Sequence, residues 1–105
     1  MRIDILTLFP KICEGALNES ILKRAQEKGL ATLKAHNLRD WATGRHAITD
    51  DAPYGGGQGM VMKCEPIFSA VEALKTEKSR VILMSPAGRP FNQKMAHELA
   101  RLIAP

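Results

Sequence analysis

The run from Arg80 to Ser85 constrains the fold of this chain more than any other stretch. Its centre, Val81-Ile82-Leu83-Met84, is apolar without interruption. A strand with one solvent-exposed face would carry a polar residue at every second position. A parallel strand is covered on both faces and is apolar throughout. The run therefore predicts a buried parallel strand, and such a sheet needs helices on its two faces.

Two further strand patterns and four helical patterns surround this run. Arg2 to Leu8 and Ala31 to His36 are typical of strands. The helical patterns cover Pro10 to Leu17, the residues after Asn18 as far as Lys28, Glu65 to about Lys75, and the residues after Asn92 as far as Ile103. Strands that alternate with helices predict the α/β class, with a mostly parallel sheet flanked by helices. The last helix should lead into another parallel strand, so we expect residues 1–105 to be the first part of a longer protein.

Several residues predict how these elements begin, end and pack. Pro10 is expected to open the first helix. Asn18 is expected to cap the second helix, Gly29 to end it, and Asn92 to cap the last helix. Glu19 and Lys23 have the spacing of an ion pair on one helix face. Trp41 is expected to anchor a short helical turn between Asn37 and Ala42. The predicted inward-facing residues of the helices are Ile21, Leu22 and Ala25, then Ile67, Ala70, Val71 and Leu74, then Met95, Leu99 and Leu102.

Composition and charge exclude some classes of protein. The 105 residues are 45% hydrophobic and 25% charged, which argues against disorder, and their apolar runs are too short to span a membrane. Cys13 and Cys64 lie far apart in sequence and predict reduced thiols in a cytoplasmic protein. The three histidines have no metal-ligand spacing, so no metal site is predicted. The net charge of +4 is compatible with a phosphate-bearing partner but does not require one.

The stretch from Asp50 to Met62, which we call the glycine segment, is the strongest candidate for a binding segment. It holds four of the eight glycines, at positions 55, 56, 57 and 59, within a region from Thr43 to Gly59 that has no regular period. The pattern lacks the Gly-Lys-Ser/Thr ending of a phosphate-binding loop. Arg45 and His46 are suited to phosphate contacts, and Asp50 is suited to orienting a base. The carboxylates, Pro53 and Tyr54 before the glycines and the apolar Met60-Val61-Met62 after them argue against a flexible linker. From the residues alone, a phosphate site, a nucleotide site and no binding function all stay open.

The turn after the apolar run is the second candidate. Ligands of open α/β sheets bind beyond the carboxyl ends of the strands, which is where Ser85-Pro86-Ala87-Gly88 is expected. Its backbone groups could read the polar edge of a flat ring, although the same residues are ordinary turn formers. Lys23, Arg24 and Lys28 make one side of the second helix basic, which indicates either a solvated face or a phosphate contact.

Three motifs together resemble a known family. They are the first strand with Leu8-Phe9-Pro10, the pattern Arg45-His46-x-x-x-Asp50-Asp51-x-Pro53-Tyr54-Gly55-Gly56-Gly57-x-Gly59-Met60, and Ser85-Pro86-x-Gly88-Arg89. The combination resembles the bacterial tRNA (guanine-N1)-methyltransferases of the TrmD type, over essentially the whole chain. The central motif is long enough to be specific.

The resemblance implies a homodimeric, cytoplasmic enzyme of the SPOUT class with a trefoil-knotted α/β domain. Such an enzyme transfers a methyl group from S-adenosylmethionine to N1 of the guanosine on the 3′ side of the tRNA anticodon, at tRNA position 37. The resemblance places Leu83, Met84, Ser85, Pro86 and Gly88 at the methyl donor. It places Arg24, Arg45, His46, Asp50, Tyr54, Gly55, Gly57 and Gly59 at the tRNA.

The resemblance also implies what this chain lacks. The family's catalytic Asp, a partnering Arg, the completed knot and a C-terminal tRNA-binding domain are all expected beyond Pro105, so residues 1–105 alone are expected to be inactive. The chain departs from the usual pattern at Gly44, Ala47, Gln58 and Ala87. A non-enzymatic RNA-binding module that uses the basic helix and the glycine segment is the alternative, and it predicts salt-dependent tRNA binding.

Overall fold

A computed structural model of the chain describes residues 1–42, 50–51, 61–62 and 64–103. In chain order the elements are β1 (Arg2–Thr7), α1 (Pro10–Leu17), α2 (Ser20–Glu27), β2 (Thr32–Asn37), a 3-10 helix (Leu38–Trp41), β3 (Asp50–Asp51), β4 (Val61–Met62), α3 (Cys64–Leu74) and α4 (Gln93–Ile103). Strands β1 and β2 pair in parallel, from Arg2 opposite Thr32 to Thr7 opposite Asn37. The predicted α/β class, with a parallel sheet and flanking helices, is therefore confirmed.

The connection from β1 to β2 is made by two short helices whose ends are set by local chemistry. Pro10 occupies the first turn of α1, where its missing N–H costs nothing. Gly29 ends α2 with φ +73°. Its N–H donates to the carbonyl of Gln26 (3.0 Å) and the N–H of Leu30 donates to the carbonyl of Ala25 (2.9 Å), which is the Schellman arrangement. The predicted helix end at Gly29 is confirmed.

The start of α2 differs from the prediction. Asn18 does not cap α2, because its backbone N–H and its Nδ2 both donate to the carbonyl of Glu14, at 3.1 and 2.9 Å. Asn18 thus closes the C-terminal end of α1. Glu19 stands before α2 and caps it without a side-chain hydrogen bond. The predicted pair of Glu19 with Lys23 is replaced by Lys23 with Glu27, whose Nζ and Oε1 atoms are 4.0 Å apart.

The buried centre lies where α3 packs against β1 and the 3-10 helix. Among the described residues, the buried apolar side chains are Leu38 and Ala70, which are 3% and 0% exposed, together with Pro66 at the start of α3. Leu38, rather than the predicted Trp41, is therefore the buried anchor of the 3-10 helix. Ile21 and Leu22 were also wrongly predicted to face inward, since α2 leaves them 75% and 40% exposed.

The segment between α3 and α4 contradicts the prediction of a strand from Arg80 to Ser85. Its residues have no regular secondary structure, and Leu83 and Met84 are each 86% exposed. No described strand lies beside the segment to pair with it, and a parallel strand cannot form alone. After this segment, Asn92 caps α4 as predicted, with its Oδ1 accepting from the N–H of Met95 at 2.9 Å. Leu102, predicted to face inward, is exposed.

Strands β3 and β4 lie at the two ends of the glycine segment. They are antiparallel, with Asp50 opposite Met62 and Asp51 opposite Val61. The irregular region predicted from Thr43 to Gly59 therefore contains a strand, because Asp50–Asp51 has a partner ten residues further along the chain. Across the described residues, no helix has the length and hydropathy needed to cross a membrane.

Candidate functional site

The turn predicted at the donor forms as a tight bend. The N–H of Gly88 donates to the carbonyl of Ser85 (3.1 Å), and the N–H of Ala87 donates to the Ser85 Oγ (3.2 Å). A Cβ at position 88 would lie 3.3 Å from that Ser85 carbonyl oxygen, closer than most real Cβ contacts. The bend therefore favours glycine at position 88 for reasons of space.

The residues before the bend offer unsatisfied backbone groups. Within the described part of the chain, no hydrogen bond engages the backbone N–H or C=O of Leu83 or Met84. Their side chains are exposed as well. A flat heterocycle could therefore gain both backbone hydrogen bonds and apolar contact here. An open depression of about 760 Å³ has a different lining, which consists of Glu72, Lys75, Thr76, Glu77, Ser79 and Val81 and includes no residue of the bend.

The pairing of β3 with β4 brings the ends of the glycine segment together, and we call this pairing the clasp. Asp51 and Val61 are direct partners, so the two ends of the stretch between them lie side by side. Asp50 lies in the clasp itself. Of the other predicted tRNA residues, Arg45, His46, Tyr54, Gly55, Gly57 and Gly59 lie outside the described residues.

Arg24 lies in the last turn of α2 and is exposed. Its neighbour Lys23 is paired with Glu27, but both side chains are more than 60% exposed, and such a surface pair contributes little. The α2 surface therefore presents positive charge to solvent. No hydrogen bond or ion pair between described residues joins Arg24 to the Ser85–Gly88 bend, so these two predicted contact regions are not directly linked.

A polar network that the sequence analysis missed crosses β1 and β2. Two nitrogens of the Arg2 guanidinium donate to the Asp4 carboxylate, Nε to Oδ2 at 3.0 Å and Nη2 to Oδ1 at 3.2 Å. The Nε2 of His36 lies 2.8 Å from the Asp4 Oδ1. The side chains of Asp4 and His36 are only 18% and 9% exposed.

The charge state of this network follows from its neighbours. The hydrogen bonds from Arg2 lower the pKa of Asp4 most strongly, burial acts in the opposite direction, and His36 lowers it further. Asp4 is therefore a carboxylate at neutral pH and can only accept hydrogen bonds, so the Nε2 of His36 must be the donor. The available sequence signal was an acidic residue inside an apolar strand pattern, which predicts a buried partner without identifying it.

Comparison with known proteins gives one consistent result. The sequence model of the family described as tRNA (Guanine-1)-methyltransferase TrmD matches residues 1–103. A tRNA (guanine-N(1)-)-methyltransferase of Geobacter sp. strain M21 is 61% identical over 103 residues, which is 96% of this chain. The corresponding protein of Dictyoglomus turgidum is 57% identical over 101 residues and 96% of the chain.

The solved structures agree with the sequences. The crystal structure of tRNA (m1G37) methyltransferase from Aquifex aeolicus superimposes with a TM-score of 0.81 and 36% identity, covering 96% of this chain and 46% of that protein. The chain spans about two fifths of the length of the curated relatives, 41% in both the Geobacter and the Dictyoglomus proteins.

Proposed function

The chain belongs to the tRNA (guanine-1)-methyltransferase TrmD family, and on that premise we propose that it forms part of an S-adenosylmethionine-dependent enzyme that methylates N1 of guanosine 37 in tRNA. The observation that carries the proposal is the match over residues 1–103 at up to 61% identity, which includes the whole glycine segment and the Ser85–Gly88 bend. The solved relative named for the same modification supports the choice of nucleoside.

The chemistry is a single displacement. S-adenosylmethionine, when bound, supplies an electrophilic methyl group on a positively charged sulfur. Guanine N1 carries a proton at neutral pH, so a general base must take that proton as the N1 lone pair forms the bond to carbon and the carbon–sulfur bond breaks. Positioning of the two reactants then supplies much of the rate. The residues of this chain are proposed to bind and orient those two reactants.

The donor is assigned to the segment from Leu83 to Gly88. Support comes from the backbone groups of Leu83 and Met84, which no described residue pairs with, and from the close approach that Gly88 permits. These groups fit the edge of an adenine ring, which offers both a donor and an acceptor. Ser85 and Pro86 complete this wall, with the Ser85 carbonyl and hydroxyl already used to hold the bend.

The tRNA is assigned to the glycine segment and to α2. Support comes from the clasp, which brings the two ends of the glycine segment side by side, and from the exposed positive charge of Arg24. We assign Arg45 and His46 to phosphates, Asp50 and Tyr54 to the nucleoside, and Gly55, Gly57 and Gly59 to the close approach of the RNA backbone. The general base and its partnering Arg are assigned to a part of the family's sequence that this chain does not span. A trefoil knot, a homodimeric state and a cytoplasmic location complete the proposal.

A chimera tests this function. Residues 1–103 replace the matching segment of the Geobacter relative, and methyl transfer is measured from radiolabelled S-adenosylmethionine to a tRNA transcript with guanosine at position 37. We expect the chimera to methylate this transcript and to leave a transcript with adenosine 37 unmodified. Residues 1–105 alone should transfer no methyl group. A folded chimera without activity, or one that modifies both transcripts equally, would overturn the proposal.

A further inference from the structure

The turn from α1 into α2 contains an unusual backbone conformation, and we call the residues from Leu17 to Ile21 the corner. Ser20, the first residue of α2, has φ +53°. Among the residues that the structure describes, it is the one non-glycine residue in the left-handed region. A Cβ makes this conformation unfavourable, so it persists only where neighbouring contacts hold it. The corner therefore keeps a direction that the chain would not adopt by itself.

A side chain of α2 holds the corner closed. The Nε2 of Gln26 donates to the carbonyl of Leu17 at 2.7 Å, in a half-buried position. Leu17 is the last residue of α1, so its carbonyl has no partner within that helix. The bond from Gln26 satisfies this carbonyl and joins α2 to the end of α1 across nine residues.

Arg24 lies on the side of α2 that faces away from α1. Residues two positions apart in an α-helix are separated by about 200° around its axis, so Arg24 and Gln26 lie on opposite sides. Gln26 faces the end of α1, whereas Arg24 is exposed. No ion pair between described residues engages the Arg24 guanidinium, and its planar set of N–H donors matches the oxygens of a phosphate.

The backbone angle of Ser20 sets where this cation lies. Arg24 follows Ser20 by four residues, which is about one turn and about 6 Å along the helix axis. If φ at position 20 moved into the ordinary negative range, the axis of α2 would turn relative to α1. The bond from Gln26 to Leu17 would then break, because its two ends lie on different helices, and Arg24 would move with α2.

We propose that Ser20 and Gln26 are positioning residues for tRNA binding: the left-handed backbone of Ser20, held by Gln26, places Arg24 at a phosphate of the RNA. This inference rests on the proposed function. It predicts an effect on tRNA that exceeds any effect on the methyl donor, because no hydrogen bond or ion pair between described residues joins the corner to the segment from Leu83 to Gly88. A corner with a structural role alone would change both KM values together or change neither.

Substitutions of Ser20 in the chimera test the role of its backbone conformation. Ser20→Val opposes a positive φ because its side chain is branched at Cβ, whereas Ser20→Gly and Ser20→Asn both allow it. We expect Ser20→Val to raise KM for tRNA about tenfold, a loss in the range of one hydrogen bond to a charged group, while KM for S-adenosylmethionine changes less than about twofold. Ser20→Gly and Ser20→Asn should leave KM for tRNA close to the wild-type value.

A double-mutant cycle shows whether the effect passes through Arg24. Arg24→Ala alone should raise KM for tRNA. Ser20→Val added to Arg24→Ala should raise it little further, because two changes that remove the same contact are not additive. Gln26→Leu removes the donor to Leu17 and should follow the same pattern, so it serves as the second variant if Ser20→Val does not fold.

Urea unfolding of residues 1–105 reports the conformation of Ser20 without any RNA. Ser69 gives a matched control, since it is exposed and lies inside α3. We expect Ser20→Gly to raise the urea midpoint because glycine has no Cβ to oppose a positive φ. Ser69→Gly should lower the midpoint through helix propensity, and Ser20→Val should lower it as well.

The outcomes are distinct. Equal increases of both KM values with Ser20→Val, or an unchanged KM for tRNA, would overturn the positioning role. An equal effect of Ser20→Val with and without Arg24 would overturn the link to that residue. A midpoint lowered by Ser20→Gly as much as by Ser69→Gly would contradict the left-handed conformation. A wild-type chimera that methylates no tRNA would overturn the proposed function and the RNA part of this inference, while the urea data would still decide the conformation of Ser20.

Discussion

Asp4 shows how the neighbours of one residue decide its charge and its role. A carboxylate in a strand would normally face water, yet Asp4 is 18% exposed and accepts hydrogen bonds from two side chains. Burial alone would push its pKa upward, whereas the guanidinium of Arg2 holds the pKa below the ordinary value. The residue is therefore stable in place only as an anion with both partners present.

The pH dependence of stability follows from this lowered pKa. The stabilisation due to Asp4 is fully present above the ordinary value of 3.8 and is lost as the pH falls through the lower native pKa. We expect Asp4→Asn to lower the free energy of unfolding by about 1 kcal/mol at neutral pH. Urea unfolding of the two proteins should show that difference shrinking below about pH 4. A difference that stays constant down to pH 2 would contradict the assignment.

Two glycines give a matched pair of opposite predictions. Gly29 has φ +73° at the end of α2, whereas Gly15 lies inside α1 and a Cβ there would meet nothing within 4 Å. We expect Gly29→Ala to destabilise the chain by about 1–2 kcal/mol through the left-handed conformation. Gly15→Ala should stabilise it by about 0.5–1 kcal/mol through helix propensity. Thermal and urea unfolding measure both, and destabilisation by the two variants alike would argue against the φ at Gly29.

At the scale of elements, the segment from Val81 to Met84 is a strand sequence without a strand. All four side chains are more than half exposed, and the described backbone around them has no ladder partner. An exposed apolar segment with unpaired backbone groups is prone to pair with another chain. The same backbone groups are those that we assign to the methyl donor.

Self-association of residues 1–105 should therefore depend on this segment. We expect the double variant Leu83→Asp, Met84→Asp to reduce association, as measured by sedimentation velocity, and to change the free energy of unfolding by less than about 0.5 kcal/mol, as for other exposed positions. Ala70→Asp is the control, since Ala70 is 0% exposed and a buried charge there should unfold the chain. Association that persists in the double variant would mean that another surface is responsible.

Helix ends that depend on neighbouring residues were predictable from the sequence. Strand formation and contacts that depend on residues distant in the sequence were not. Pro10, Gly29 and Asn92 start or end helices through bonds within a few residues, and all three predictions are confirmed. The apolar run from Arg80 to Ser85 indicates a need for burial but cannot supply its partner strand. The bond between Asp4 and His36 spans 32 residues, and only the parallel pairing of β1 with β2 brings the two side chains together.

At the scale of the whole molecule, the candidate site has two proposed parts, which we call walls. One is the segment from Leu83 to Gly88 for the methyl donor, and the other is the clasp with the glycine segment for tRNA. The bend at Ser85 and the clasp are formed by bonds within the chain. Fourteen large apolar side chains among the described residues nevertheless stay exposed, while the buried apolar residues there are Leu38, Pro66 and Ala70. Which residues form the two walls stays a prediction from the sequence, and the distance between the walls depends on packing that local patterns do not encode.

In the chimera, substitutions in one wall should weaken tRNA binding and substitutions in the other should weaken donor binding. Substitution of His46 or Tyr54 by Ala should raise KM for tRNA with little change in donor binding. Gly88→Ala should do the reverse, because its Cβ would lie 3.3 Å from the Ser85 carbonyl and force the bend to shift. Steady-state methylation and titration calorimetry with S-adenosylhomocysteine measure the two effects. If all three variants weakened donor binding equally, the division into two walls would be wrong.

The clasp has a consequence for how the glycine segment can vary. Because β3 and β4 hold the ends of residues 52–60 together, the entropy of closing this loop depends only on the logarithm of its length. Lengthening it by two residues should cost about 0.2 kcal/mol, far less than the loss of one core contact. We therefore expect insertions between Asp51 and Val61 to cost little stability, and the choice of residues there to be limited by the molecule that this stretch recognises.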